Sequence, residues 1–128
     1  MKILWLTNTP SNASAEFGYK LHGGGWISSL ETMVSQKDDI ELGICFFYHG
    51  EEIRKIEKNG TTYFGIPLKP GHSLQRIINR HTARPLDEKK DLLHHVIDVF
   101  QPELIHVFGT EKGFGKILQG RKEKVLFH

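Results

Sequence analysis

The sequence predicts an α/β protein built on a doubly wound, mainly parallel sheet. Three observations carry that expectation. Short apolar runs at Lys2–Thr7 and Ile40–Tyr48 have the two-sided hydrophobicity of strands buried inside a parallel sheet, and Leu104–Phe108 and Lys124–His128 read as further strands. Helical patterns alternate with them, beginning at Trp26, Asp87 and Phe114. A triple glycine, Gly23-Gly24-Gly25, stands between the first run and the first helical pattern. The 128 residues fit one domain, residues 1–128, and a chain of that length buries roughly two-thirds of its unfolded surface.

Lys2-Ile3-Leu4-Trp5-Leu6-Thr7 reads as the first strand and runs into the polar turn Asn8-Thr9-Pro10-Ser11-Asn12. Ser11 to Leu21 is a long polar connection, and long connections in compact domains often carry function. After His22 and the glycines, Trp26, Ile27, Leu30, Met33 and Val34 form an apolar helical stripe. The glycines therefore open a helix, where unpaired N–H groups and the positive dipole end favour an anion. A plain strand-to-helix turn is the competing reading of the same residues.

Ile40–Tyr48 is the second strand. Asn59-Gly60 lies between Ile53–Glu57 and Thr61–Ile66, the pattern of a β-hairpin, although the first arm also reads as a short helix. Leu74, Ile77 and Ile78 suggest a short helix after Pro70-Gly71, in basic surroundings of Arg76, Arg80, His81 and Arg84. Asp87–Gln101 is the clearest helix: acidic residues open it, Leu92, Leu93, Val96, Ile97, Val99 and Phe100 give it an apolar face, and Pro102 ends it. A strand at Leu104–Phe108, an exit loop Gly109-Thr110-Glu111, a short helix Phe114–Gln119 and a strand Lys124–His128 follow. In such sheets ligands bind outside the carboxyl ends of the strands. That rule gathers Asn8, Thr9, His22, the glycine loop, Gly109, Thr110, Glu111 and His128 on one rim.

Several function classes find no support. A formal net charge of +2 is too small to argue for nucleic acid or an anionic surface. Cys45 is the single cysteine, so it makes no internal disulfide, which points to a reducing compartment and a packing role. No signal peptide or spanning segment is evident. The glycines lack the third member of a dinucleotide fingerprint, and Phe46-Phe47-Tyr48 offers no carboxylate for a ribose. Gly109 to Lys116 imitates a phosphate loop, but the spacing is one residue too long and Ile117 replaces the magnesium-binding hydroxyl. His94-His95 points in two directions from a helix, His106 reads as a hydrogen-bonded core residue, and no Cys/His spacing suggests zinc. No nucleophile elbow is present.

Four stretches together resemble the N-terminal half of family-4 glycosyltransferases of the GT-B fold. They are the strand Lys2–Thr7, the Gly-Gly-Gly-Trp start of the first helix, Lys58-Asn59-Gly60 before Tyr63-Phe64-Gly65-Ile66-Pro67, and above all Phe100-Gln101-Pro102-Glu103-Leu104-Ile105-His106-Val107-Phe108-Gly109-Thr110-Glu111. The resemblance implies a Rossmann-like domain with helices on both faces and a hairpin insertion, forming the acceptor side of a two-domain retaining enzyme. It implies a donor-binding C-terminal domain outside this chain, no required metal and no tightly bound cofactor. The donor would be a UDP- or GDP-sugar, and the acceptor a glycan or lipid-linked sugar in polysaccharide biosynthesis. By the same resemblance Gly23, Gly24 and Gly25 approach the donor phosphates, and His128 stands for the family histidine that touches the reacting sugar. Asn8, Thr9, His22, Gly109, Thr110 and Glu111 belong to the acceptor-side rim. The expected setting is cytoplasmic, with Arg76–Arg84 the one hint of peripheral contact with the inner membrane face. This chain alone is expected to be inactive. The alternative from another class is a stand-alone, flavodoxin-like binding or interaction module.

Overall fold

The computed structural model describes residues 1–18, 25–67, 85–108 and 114–127. The elements are β1 (Lys2–Leu6), a 3-10 helix (Ser11–Ala13), α1 (Trp26–Ser35), β2 (Glu41–Tyr48), β3 (Arg54–Lys58), β4 (Thr61–Pro67), α2 (Pro85–Phe100), β5 (Leu104–Val107), α3 (Phe114–Ile117) and β6 (Lys124–Phe127). They build an α/β unit on one six-stranded sheet, ordered β3-β4-β2-β1-β5-β6. All strands run parallel except β3, which pairs antiparallel with β4. The architecture is compatible with a Rossmann-like fold.

The hairpin follows from its turn. Asn59 and Gly60 both take positive φ, 52° and 83°, which is what a two-residue turn between twisted strands requires. It places Arg54 opposite Gly65 and Lys58 opposite Thr61. β3 occupies the outer edge and reads Arg-Lys-Ile-Glu-Lys, a charged sequence that discourages further strand pairing. The predicted helix around residues 74–78 lies outside the described residues.

The strands alternate between two apolar clusters. Leu4, Leu6, Cys45, Phe47, Phe64, Ile66, Ile105 and Val107 meet Leu93, Val96, Ile97 and Phe100 of α2, with Phe114 of α3. Trp5, Ile44, Phe46, Tyr48 and Tyr63 meet Ile27 of α1 and Phe17 of the loop after β1. Gly43 admits α2 closely: a Cβ there would lie 2.9 Å from Cζ of Phe100. The C-terminus of α2 is fastened to β1 by Lys2, whose ammonium donates to the Phe100 carbonyl at 3.0 Å and lies 4.9 Å from the Phe100 ring centre. Gln101 closes the helix at φ 53°, its N–H donating to the Ile97 carbonyl at 2.8 Å.

Two apolar faces are narrower than the periodicity suggests. In α1, Ile27 is buried and Leu30 and Val34 are half-buried, but Trp26 and Met33 are exposed. In α2, Val99 is exposed although it sits among the apolar residues that define the helix. A stripe fixes the axis of a buried face, while the neighbours decide how wide a face they cover.

Candidate functional site

The parallel strands deliver their carboxyl ends to one rim. There β1 makes its last two rungs: Thr7 N–H donates to the Cys45 carbonyl at 3.0 Å, and Phe108 N–H donates to the Leu6 carbonyl at 2.9 Å. Beyond them the chain leaves β1 for β2 on one side, whereas β5 leads to β6 on the other. Adjacent strands whose connections part in this way define a switch-point crevice, the usual ligand position in open α/β sheets. Asn8 is exposed at its lip and Thr9 is half-buried. The Thr7 hydroxyl donates to the Thr9 carbonyl at 2.6 Å, and the Thr9 hydroxyl accepts from Ser11 N–H at 3.3 Å. These bonds turn the chain away from the sheet into the 3-10 helix.

Gly25 is the N-cap of α1, at φ 56° and ψ −115°, and no side chain caps the helix there. A residue with a Cβ is strained in that conformation. The space around it is open, with nothing within 4 Å of a built Cβ, so the demand for glycine is torsional. The helical ladder begins at once, with Ser29 N–H donating to the Gly25 carbonyl at 3.2 Å. Of the rim residues predicted from sequence, Asn8, Thr9 and Gly25 fall within the described structure. His22, Gly23, Gly24, Gly109, Thr110, Glu111 and His128 lie outside it.

What ties α1 to the exit of β1 is Glu31, a residue the sequence reading passed over. It is 3 % exposed, its Oε1 accepts from Asn12 N–H at 3.2 Å, and its Oε2 accepts from the Tyr63 hydroxyl of β4. Burial, followed by the bond to Glu31, holds the Tyr63 pKa well above its ordinary value, so the phenol stays a proton donor. Asn12 reciprocates through its side-chain amide, which donates to the Ser28 carbonyl at 3.3 Å and the Thr32 hydroxyl at 3.2 Å. Lys58 of β3 reaches the Asn12 carbonyl at 2.9 Å and pairs with Glu16 at 2.8 Å. The signal was available: Glu31 stands at i+4 from Ile27 and i−3 from Val34, on the buried stripe, where a carboxylate needs partners.

No family model, curated protein or solved structure matches the chain.

An aromatic group backs the crevice on the α1 side. The Phe108 ring lies 5.0 Å from Trp5, 4.1 Å from His106 in a stacked arrangement, and 5.5 Å from Trp26. His106, expected as a core residue, is half-buried in this group. The loop after β1 is anchored rather than free over its described part. Phe17 packs edge-on against Phe46 and Tyr48, in space left by the missing Cβ of Gly65. Arg54 lies over the outer face of that ring, 5.0 Å from its centre.

The opposite rim carries a polar clasp. Arg121 makes a two-pronged bond to Glu123, at 2.9 and 3.0 Å, reaches Asp98 at 2.8 Å, and lies 3.3 Å from His94 Nδ1. Its bond to Glu123 raises the Arg121 pKa and depresses that of Glu123. Open cavities of about 340 and 410 Å³ flank it. The guanidinium is spent on fastening the start of β6 to α2, and it sits at the amino ends of the strands. His95 is exposed, as the divergence of adjacent helical residues predicts. Among the described residues, no three His, Cys, Asp or Glu side chains are placed to hold a metal ion. No described helix is long and apolar enough to cross a membrane.

Proposed function

We propose that this chain is the acceptor-side domain of a retaining GT-B glycosyltransferase and that its sheet is doubly wound. The observation that carries the reading is the position of Gly25: a glycine-only conformation opening α1, uncapped by any side chain, at the rim where the connections of β1 and β5 part. Main-chain amides in that place suit a phosphate. The sequence motifs from Phe100 to Glu111, and the hairpin before Gly65-Ile66-Pro67, support the same family.

In this reading a second lobe supplies most of the UDP- or GDP-sugar pocket and closes over the rim. During transfer the bond from the sugar's anomeric carbon to the diphosphate oxygen breaks, and a bond to an acceptor hydroxyl oxygen forms with the hydroxyl proton released. Negative charge grows on the departing nucleoside diphosphate. The amides of the Gly23–Gly25 loop, with the dipole of α1, oppose that charge, and preorganised donors of this type commonly supply the largest share of rate enhancement. His128 would contact the reacting sugar. Asn8, Thr9, His22, Gly109, Thr110 and Glu111 would face the acceptor, a glycan or lipid-linked sugar presented at the inner face of the membrane.

The test is transfer by the protein joined to its donor-binding lobe, assayed with UDP- and GDP-sugars and a lipid-linked acceptor. The reading expects release of nucleoside diphosphate and a product with the donor's anomeric configuration. Donor turnover by residues 1–128 alone would contradict it, because half of the cleft would then be unnecessary.

A further inference from the structure

Between the β3–β4 hairpin and α2 lies an open cavity of about 160 Å³, lined by Ile53, Lys55, Phe64, His95, Val96 and Val99. It belongs to the part of the sheet that packs on α2, whereas Gly25 opens α1. We propose that this cavity binds a small carboxylate carrying a phenyl- or isobutyl-sized apolar group. The site does not depend on the glycosyltransferase reading.

Size and walls set the apolar part. Phe64 and Val96 are buried, Ile53 is half-buried, and Val99 stands 54 % exposed on the cavity wall. An apolar cavity of about 150 Å³ takes up benzene, so one ring or one branched aliphatic group fills this one. Charge sets the rest. Lys55 pairs with Phe64 across the hairpin, and its ammonium lies 5.9 Å from the centre of the Phe64 ring. His95 is one helical turn before Val99 and shares its face of α2. Both polar lining groups donate: the ammonium always does, and the imidazole keeps at least one N–H in either tautomer. Neither side chain has a hydrogen-bond or ion-pair partner among the described residues. Glu57 shares this face of β3 and is not ion-paired with Lys55. No acidic side chain lines the cavity. Apolar walls with donors of one sign at the mouth match an anion with an apolar tail, and they repel a cation of the same shape. The chain's own residues 68–84 are no such match in charge, since they include Lys69, Arg76, Arg80 and Arg84 and no acid.

The experiment is methyl-resolved NMR of the chain, following Ile53, Val96 and Val99. Phenylacetate and isovalerate are titrated into the high millimolar range, with phenethyl alcohol, phenethylamine and acetate as comparisons. Saturable shifts of the three residues with at least one of the two carboxylates are expected, in the millimolar range that so small a ligand reaches. Phenethyl alcohol should bind about fivefold more weakly than phenylacetate, and phenethylamine and acetate not at all. Lys55→Met should weaken phenylacetate by about fivefold and leave phenethyl alcohol unchanged. Val99→Glu, at an exposed position, should abolish binding by placing a carboxylate at the cavity. Both variants should retain the wild-type circular dichroism. No saturable shift with either carboxylate, equal affinity for the acid and the alcohol, or unchanged phenylacetate binding in Lys55→Met overturns the site. Val99 shifts that follow protein concentration without ligand would assign the cavity to a second copy and also overturn it. So would Overhauser contacts from Leu74, Ile77 or Ile78 to Val99, which would show the chain filling its own cavity.

Discussion

The Tyr63 hydroxyl of β4 donates to the Glu31 carboxylate of α1, inside the protein and 32 residues away in sequence. The same carboxylate receives the Asn12 amide, so one buried side chain joins the sheet, the first helix and the loop that leaves β1. The position of Gly25 over the rim depends on that junction. Tyr63→Phe leaves a buried oxygen of Glu31 without its donor, and should destabilise the fold by about 1–3 kcal/mol. Glu31→Ala should cost at least as much. Urea denaturation of the single and double variants checks this, with a coupling of about 0.5–3 kcal/mol expected for a shared bond. Additive effects would mean that the two residues act separately.

Alkaline stability should fall for reasons that can be named. Burial raises the Cys45 thiol, and burial together with Glu31 raises the Tyr63 phenol. Both groups keep their protons in the native state at pH values where the unfolded chain releases them. Their contribution is complete below the unfolded values, about 8.5 for a thiol and about 10 for a phenol, and is lost as pH rises beyond them. Stability measured from pH 7 to 11 should decline above about pH 8.5, and Tyr63→Phe should flatten the upper part of that decline. Native Cys45 should react with a thiol reagent only at the rate of unfolding.

The acid side is governed by the Arg121 clasp. Its guanidinium depresses Glu123 below the ordinary value of 4.5, so the stabilisation is present above that value and disappears as pH falls through the native one. Arg121→Gln should cost about 2 kcal/mol at neutral pH, mostly through Glu123, because the Asp98 side chain is 65 % exposed and its pairing is screened by water. The variant's stability should also vary less between pH 5 and pH 3 by chemical denaturation.

Gly43 and Phe100 test the packing of α2 against the sheet. Gly43→Ala places a methyl 2.9 Å from the Phe100 ring and should destabilise by about 1–3 kcal/mol. Adding Phe100→Leu should recover part of that loss, although Phe100→Leu alone destabilises. Thermal unfolding of the three variants distinguishes a specific clash from a general intolerance of side chains in β2.

The residues differ in how openly they declared these roles. Asn59-Gly60 dictates a tight hairpin by its backbone preferences alone, and the apolar runs dictate parallel strands, buried in β1 and β2, whereas β6 pairs parallel with β5 but leaves Leu126 and Phe127 exposed at the sheet edge. Those signals are local. The exposure of Trp26 and the burial of Glu31 depend on what packs across α1, and periodicity names a face without naming its cover. Phe17 looked like part of a polar loop, because its pocket is made by Phe46, Tyr48 and the bare backbone of Gly65, all distant in sequence. Asn8, Thr9 and Gly25 could be assigned to one rim because strand direction follows from α/β alternation.

The account turns on the amides at the start of α1 receiving a diphosphate. The direct measurement is an amide-resolved NMR titration of the chain with millimolar pyrophosphate, alongside Gly25→Ala, whose backbone strain of about 1–3 kcal/mol should displace the loop. The account predicts saturable shifts centred on Gly25, Trp26 and Ile27 in the wild type, largely absent in Gly25→Ala, with global stability still sufficient for a folded spectrum. Shifts confined to the Arg121 and Lys122 rim, or equal shifts in both proteins, would contradict it.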